Sequence, residues 1–425
     1  MPKSVITCDM EGIIETYNDG AREIFKYEPE EVIHKKRVSL FSPGEIVLQN
    51  VEEWLKIAST EGEYVGKTVF VDKHGKLISA KIRITPTYAH GKEAGQTGFC
   101  GVTEPIEEKV EVPIKFSTKM IKALVITRLP FITASALPVV IAGVLAAHGS
   151  AYGLAGAFSW PLFLLTLLGV ILLHLGSNVM NDYYDHTSGT DEANTSYFQK
   201  YSGGSRAIEL RLISPAGTKR LGIALLAAAL GIGLYLTWQA GPGVLYTGLA
   251  GLALGFFYTA PPLRLVARKG LGEFVIFLTY GPLLTFGTWY VLTGQYSWEA
   301  ALIGIPAGLL TTNILLINEF PDMEGDAATG KNHLVVTFGK EKSINLYAGI
   351  LALAVLSTIA LSYYFQNYLL LLPAAYIALF GAGVVRYIRQ KYETRELVKA
   401  NVNTINMQLL FSVLFALALW LNTYL

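Results

Sequence analysis

The chain has 425 residues, 52% of them hydrophobic and 16% charged, with a mean hydropathy of +0.40 and a formal net charge of +1. A soluble protein of this length carries less apolar surface, so composition points to a membrane protein. The near-neutral balance gives no electrostatic case for nucleic acid, and two widely separated cysteines, Cys8 and Cys100, fit a reducing, cytosolic setting and no metal-ligand spacing.

The N-terminus, MPKSVITCDMEG, lacks the apolar core of a signal peptide, so the first segment is expected to stay in the cytosol. Residues 1–110 are mixed polar and hold no apolar run long enough to span a bilayer. Val5 to Cys8 reads as a strand, Asp9-Met-Glu-Gly12 as a turn and Ile13 to Tyr17 as a second strand. Asn18-Asp19-Gly20 caps a helix through Phe25. Thr68 to Val71 and Leu77 to Thr85, joined by Asp72-Lys-His-Gly75, read as a hairpin, and Gly98 to Thr103 as a closing strand. The pattern is a small α+β module.

Three stretches of this module, ITCDMEGIIETYNDGAREIFKYEPEEVI, VFVDKHGKLISAKIRITPTY and GFCGVTEPI, resemble a PAS domain, over residues 1 to 106. The resemblance implies a sensor that binds a small ligand, haem or flavin, or that contacts a partner such as a second copy. Cys8 and Cys100 sit on predicted strands outside any flavin-adduct motif. A lone surface histidine such as His34 or His74 is more often a polar residue than a haem ligand, so no cofactor is assigned to the module.

A charged linker, 111–124, leads into a membrane domain over 125–425. Nine apolar runs follow, at about 126–148, 161–184, 219–239, 243–260, 272–293, 299–320, 344–364, 368–388 and 404–424. Each is long enough for a hydrocarbon core of roughly 30 Å, crossed by about 20 helical residues. The connections at 149–160, 240–242, 294–298 and 365–367 contain no Lys or Arg, whereas those at 185–218, 261–271, 321–343 and 389–403 are basic. Under the positive-inside rule the basic loops lie in the cytosol with the N-terminal module, across a cytoplasmic membrane.

Two acidic stretches end apolar runs on this basic side. In Asn178-Val-Met-Asn181-Asp182-Tyr-Tyr-Asp185 the residues Asn178, Asp182 and Asp185 are spaced i, i+4, i+7 and share one helix face. Gly189 then breaks the helix and Asp191 follows on a loop. Asn318-Glu-Phe-Pro-Asp322-Met-Glu324-Gly-Asp326, with Lys331 beyond, repeats the arrangement. Charges at membrane depth are costly unless paired or functional. Hard carboxylate oxygens suit Mg2+, which binds through a few carboxylates together with substrate phosphates. Two matching motifs facing one pocket outweigh the plainer reading of solvated loop acids.

The basic loops add cations. Tyr201-Ser-Gly-Gly204-Ser205-Arg206 presents backbone N–H groups and a guanidinium suited to phosphate. Arg128 and Lys331 are further phosphate candidates, and Tyr258 precedes Pro261-Pro262, which stop a helix. Arg264, Arg268 and Lys269 read as lipid-surface anchors. Carboxylates, Mg2+ and cations at the mouth of an apolar bundle suit a diphosphate head on a long lipid tail, attacked at its allylic carbon by an electron-rich ring.

NVMNDYYDHTSGTD, YTAPPLRL, GLGEFVIFLTYGPLLTFGTWYVLTG and NEFPDMEGDAATGKNHLVVTFG resemble the UbiA superfamily of intramembrane prenyltransferases, over roughly 120 to 425. The resemblance implies nine transmembrane helices around a central cavity, with two Mg2+ ions bridging the acidic motifs. It assigns Asp182, Asp185, Asp322 and Asp326 as catalytic, and these with Asp191 as metal ligands. It also covers Asn178 and Lys331, which with Arg128, Arg206 and Tyr258 are the expected substrate-binding residues. The Thr-Ser-Gly-Thr-Asp191 and GGSRAI stretches are most similar to the 1,4-dihydroxy-2-naphthoate polyprenyltransferases of menaquinone synthesis, which replace a ring carboxyl with a polyprenyl chain. Pro321 departs from the basic residue common at that position. Other acceptors, namely 4-hydroxybenzoate, tocopherol- or chlorophyll-type rings and a glyceryl phosphate, remain open, as does a non-catalytic PAS-linked membrane sensor. A transporter is disfavoured because the acids lie at helix ends instead of near mid-membrane.

Overall fold

The computed structural model describes residues 2–194, 196–198, 202 and 204–425. Tyr201 and Gly203 of the predicted phosphate loop lie outside the described residues. The chain divides into two compact units, Met1–Ile126 with Arg206–Ser214, and Thr127–Ser205 with Pro215–Leu425.

The first unit is built on an antiparallel sheet of five strands, β1 (Ser4–Asp9), β2 (Ile14–Tyr17), β3 (Tyr64–Val71), β4 (Leu77–Thr87) and β5 (Gly98–Pro105), in the order β2-β1-β5-β4-β3. All five strands fall where the sequence places them, with β3 starting earlier. The turns close on aspartates. Asp9 Oδ1 accepts from the N–H groups of Glu11 and Ile13, and Asp72 Oδ1 from those of His74 and Lys76. Asn18 caps the helix Asp19–Phe25 by accepting from Ala21 N–H. That helix presses Phe25 against Phe41 (ring centroids 4.3 Å apart) in a core with Ile14, Trp54, Phe70 and Phe99. The segment Arg206–Ser214 completes the unit. Arg211 donates to the Asp72 carbonyl at 3.2 Å and to the Tyr27 hydroxyl at 3.3 Å.

The second unit is helical. Among the described residues seven helices are long and apolar enough to cross a membrane: Trp160–Thr187, Pro215–Ala240, Leu271–Thr293, Trp298–Ala328, Lys340–Tyr364, Tyr368–Lys391 and Arg395–Tyr424. Two shorter apolar helices, Thr133–Ala147 and Pro242–Phe257, coincide with the remaining predicted runs. The molecule is an integral membrane protein. Exposed Trp160, Trp238, Trp298, Tyr246, Tyr363 and Tyr368 mark the helix ends remote in sequence from the acidic motifs, as an interfacial aromatic belt does. Helix Leu271–Thr293 breaks at Gly281-Pro282, where it crosses Gly304 and Gly308. A Cβ on Gly281 would stand 2.6 Å from the Gly304 carbonyl oxygen, so the small-xxx-small pair lets the backbones touch. The second acidic helix runs unbroken through Pro321. Asp191, expected on a loop, lies in a single helical turn, Thr190–Ala193, because Gly189 at φ +77° reverses the chain and lets a turn restart.

Candidate active site

The two acidic helices, Trp160–Thr187 and Ile305–Ala328, bring their last turns to one end of a cavity of about 380 Å3. Asn178, Asp185, Asp191, Asp322, Asp326, Arg128, Tyr258 and Lys331 all line it. Its far walls are apolar, with Leu173, Leu230, Leu249 and Leu284 among the lining residues.

Asp182 sits behind the wall, buried, and its Oδ1 accepts the Ser205 N–H at 3.1 Å. Arg128 Nη1 stands 4.0 Å from the same oxygen, from a backbone at φ +54° that few non-glycine residues adopt. Asp182 Oδ2 and Asn178 Nδ2 are buried without a hydrogen-bond partner. Gly204 (φ +79°) makes this approach possible, since a Cβ there would stand 2.8 Å from Asp182 Oδ1. Asp185 Oδ2 accepts from Asn181 Nδ2 at 3.0 Å.

The second helix end is held from the first half of the chain. Asp322 Oδ1 accepts from Asn194 Nδ2 at 2.8 Å and from Ser202 Oγ at 3.0 Å. The Thr190 and Thr329 hydroxyls meet at 3.1 Å. Gly325 lets Asn194 in, because a Cβ there would stand 2.6 Å from Asn194 Cα.

Lys331 ties the two ends together, its Nζ being 3.5 Å from Asp185 Oδ2 and 3.6 Å from Asp326 Oδ1. Burial works against its charge. The carboxylates of Asp185, Asp326, Asp322 and Asp191 more than offset that burial and hold its pKa above the ordinary lysine value. Lys331 is therefore a fixed cation between two carboxylates, positioned to share itself with an arriving anion.

The structure thus brings together every predicted site residue except Arg206. Arg206 belongs to the first unit, where its Nη1 lies 3.3 Å from Glu209 Oε2. It is buried, and its backbone is at φ +54°. Sequence reading missed Glu319, His333 and Glu273. Glu319 carried a signal, since 319, 322 and 326 are spaced i, i+3, i+7 on one helix face. His333 and Glu273 lie beyond helix breaks that no periodicity bridges.

Residues 136–412 match the UbiA prenyltransferase family and residues 2–102 match the PAS domain family. The chain is 31% identical over 250 residues to a 1,4-dihydroxy-2-naphthoate octaprenyltransferase of Mycobacterium tuberculosis, covering 59% of this chain and 82% of that one. It is 30% identical over 301 residues to the octaprenyltransferase of the same name from Haemophilus influenzae, covering 67% and 92%. A solved UbiA homolog from Archaeoglobus fulgidus, bound to DMAPP and Mg2+, superimposes with a TM-score of 0.52 at 17% identity, over 72% of this chain and 99% of that one.

Proposed function

Because the chain belongs to the UbiA prenyltransferase family, we propose that it transfers a polyprenyl chain from a polyprenyl diphosphate to 1,4-dihydroxy-2-naphthoate, in menaquinone biosynthesis. One observation carries the reading. Two acidic helix ends, joined by Lys331, line a cavity of about 380 Å3 whose other lining residues are mostly apolar.

The site fits Mg2+. Asp182 Oδ2 is a buried carboxylate oxygen without a donor, and such a group is costly unless a ligand satisfies it. Asp182, Asp185, Asp191, Asp322 and Asp326 are the residues that would hold the ions. When bound, Mg2+ neutralises charge on the diphosphate and so makes it a better leaving group.

The chain's own residues do the rest. Lys331 and Arg128 receive phosphate oxygens by charge-assisted hydrogen bonds. Asn178 offers an unpartnered amide N–H at the same wall. The Phe131 and Tyr280 rings line the cavity, where aromatic faces favour an allylic cation. The apolar walls keep water from that cation.

In this reading the membrane domain spans 125–425 and crosses a cytoplasmic membrane nine times, using the seven long and two shorter apolar helices, with both acidic motifs and the N-terminal domain on the cytosolic side. Residues 1–110 form the sensor and 111–124 the linker. The PAS domain tunes transfer, because the segment it holds, Arg206–Ser214, is continuous with Ser205, whose N–H binds Asp182.

The test uses membranes containing the protein, Mg2+, a labelled polyprenyl diphosphate and 1,4-dihydroxy-2-naphthoate. Prenylated naphthoquinol plus CO2, lost in Asp182→Asn and Asp322→Asn, is the expected result. Turnover only with 4-hydroxybenzoate, a tocopherol- or chlorophyll-type ring or glyceryl phosphate would change the acceptor. No turnover with any acceptor would sink the enzymatic reading in favour of a sensor.

A further inference from the structure

The cavity carries a carboxylate that the reading above leaves unused. Glu319 lies on the second acidic helix, is 5% exposed and lines the cavity with Tyr258 and His333. Neither of its oxygens has a hydrogen-bond partner, and the Tyr258 hydroxyl beside the cavity is buried in the same condition. Glu273, 3% exposed, approaches from the helix Leu271–Thr279. Its Oε1 accepts the Leu334 N–H at 2.7 Å, and its Oε2 has no partner. One atom each of Glu273, Glu319 and His333 lies within 4.8 Å of the others.

A carboxylate buried without donors loses the hydration it would have in water and needs a ligand that returns donors. A metal ion is the first candidate, but His333 has no nitrogen to give it. Its Nε2 stands 3.1 Å from Asp326 Oδ2. Its Nδ1 faces Glu319 Oε2 at 3.3 Å and also accepts the Val336 N–H at 3.3 Å. Held by Asp326 on one side and the Val336 N–H on the other, the imidazole is a fixed neighbour of Glu319. Because Nδ1 accepts from Val336, the ring brings no N–H to Glu319, and both Glu319 oxygens stay buried without a donor. What remains wanted is an O–H donor on a molecule small enough to share the cavity with a lipid tail.

Resting on the proposed prenyl transfer, we propose that Glu319 is the catalytic base that binds a ring hydroxyl of the aromatic acceptor and takes its proton, so that the enzyme selects rings carrying a free O–H. The step balances. The bond between the allylic carbon and the diphosphate oxygen breaks, and its electron pair leaves with the diphosphate. The acceptor O–H bond breaks, its proton passes to Glu319, and the released pair drives the ring carbon onto the allylic carbon. Where that ring carbon bears a carboxylate, CO2 departs, its bonding pair restores the aromatic ring, and the ring oxygen takes the proton back from Glu319.

The experiment uses the full chain in membranes, comparing wild type with Glu319→Gln and Glu319→Asp. The first arm is binding of 1,4-dihydroxynaphthalene and of its dimethyl ether, measured directly and without turnover. Wild type is expected to bind the diol at least ten-fold more tightly than the ether, with the preference lost in Glu319→Gln and partly kept in Glu319→Asp. The second arm is kinetic. Glu319→Gln should lower kcat/KM for the acceptor by about 100-fold or more, the usual share of a general base, and leave prenyl diphosphate affinity within about three-fold. It should also remove the acidic limb of the acceptor pH profile. Equal binding of diol and ether by wild type would overturn the proposal. So would an unchanged kcat/KM in Glu319→Gln, or an acceptor affinity that rises with added Zn2+ and falls with chelation in excess Mg2+. If wild type prenylates no ring, the transfer reading fails, while the binding arm still decides whether Glu319 recognises the hydroxyl.

Discussion

The two acidic helix ends look like copies in sequence, yet they are supported differently. The first, at Asp182 and Asp185, borrows its partners from remote segments, namely the Ser205 N–H, the Arg128 guanidinium and Lys331. The second, at Asp322 and Asp326, has Lys331 and His333 from the loop that directly follows it. It still depends on Asn194 and Ser202 for Asp322. Asn194 and Ser202 at one end and Ser205 at the other are thus near one another in sequence. Paired motifs need not mean paired scaffolds: residues close to one another in sequence can support two carboxylate clusters that are far apart in it.

The comparison breaks most severely at the carboxylates. Asp182→Ala and Asp322→Ala should each lower prenyl transfer by about 1000-fold, as losses of electrostatic stabilisation at a reacting phosphate do. An outcome in which one end tolerates the change would show that only the other end binds the diphosphate. Chelation with EDTA should abolish turnover in wild type, and added Mg2+ should restore it.

Next in size is the bridge. Lys331→Met should raise the KM for the prenyl diphosphate by about 10- to 100-fold, the worth of a charge-assisted hydrogen bond of about 1.5–3 kcal/mol. The acceptor KM should change little. A uniform loss for both substrates in steady-state kinetics would instead mark Lys331 as a purely structural strut.

The two glycines separate the ends more finely. Gly204→Ala places a Cβ against Asp182 Oδ1 at a strained φ and should cut activity about ten-fold with a small change in melting temperature. Gly325→Ala meets backbone at Asn194 and should instead destabilise the fold by about 1–3 kcal/mol, as overpacking does, read as a lowered melting temperature. Swapped outcomes would mean that the loop, and not the helix, carries the rigidity. The smallest effect is expected of Arg211→Ala, which releases the Asp72 carbonyl and the Tyr27 hydroxyl. It should shift the KM for the prenyl diphosphate by about two- to five-fold, since each such exposed or half-buried bond is worth about 1 kcal/mol. Identical kinetics would argue against tuning through Arg206–Ser214.

Much of this was legible in the chain itself. Asp9 and Asp72 announced the turns of the sheet, and the alternation of apolar runs announced the helices, because period and turn chemistry are local properties. The i, i+4, i+7 spacing of Asn178, Asp182 and Asp185 put them on one face for the same reason. Arg206 looked like a phosphate ligand because it follows Gly-Gly-Ser, and nothing local revealed that its segment packs with the N-terminal unit.

Sequence by itself determined the class of the protein, the position of its spans and the acids at their ends, because hydropathy over about 20 residues and helical spacing need no distant partner. Only the tertiary structure decided which residues complete the site. Asn194 and Ser202 reach Asp322, Lys331 bridges Asp185 to Asp326, and Glu273 and His333 gather around Glu319. These meetings join residues up to 146 positions apart (331 minus 185). They depend on helix packing, and on glycines at 204 and 325 that leave room for the backbone to approach.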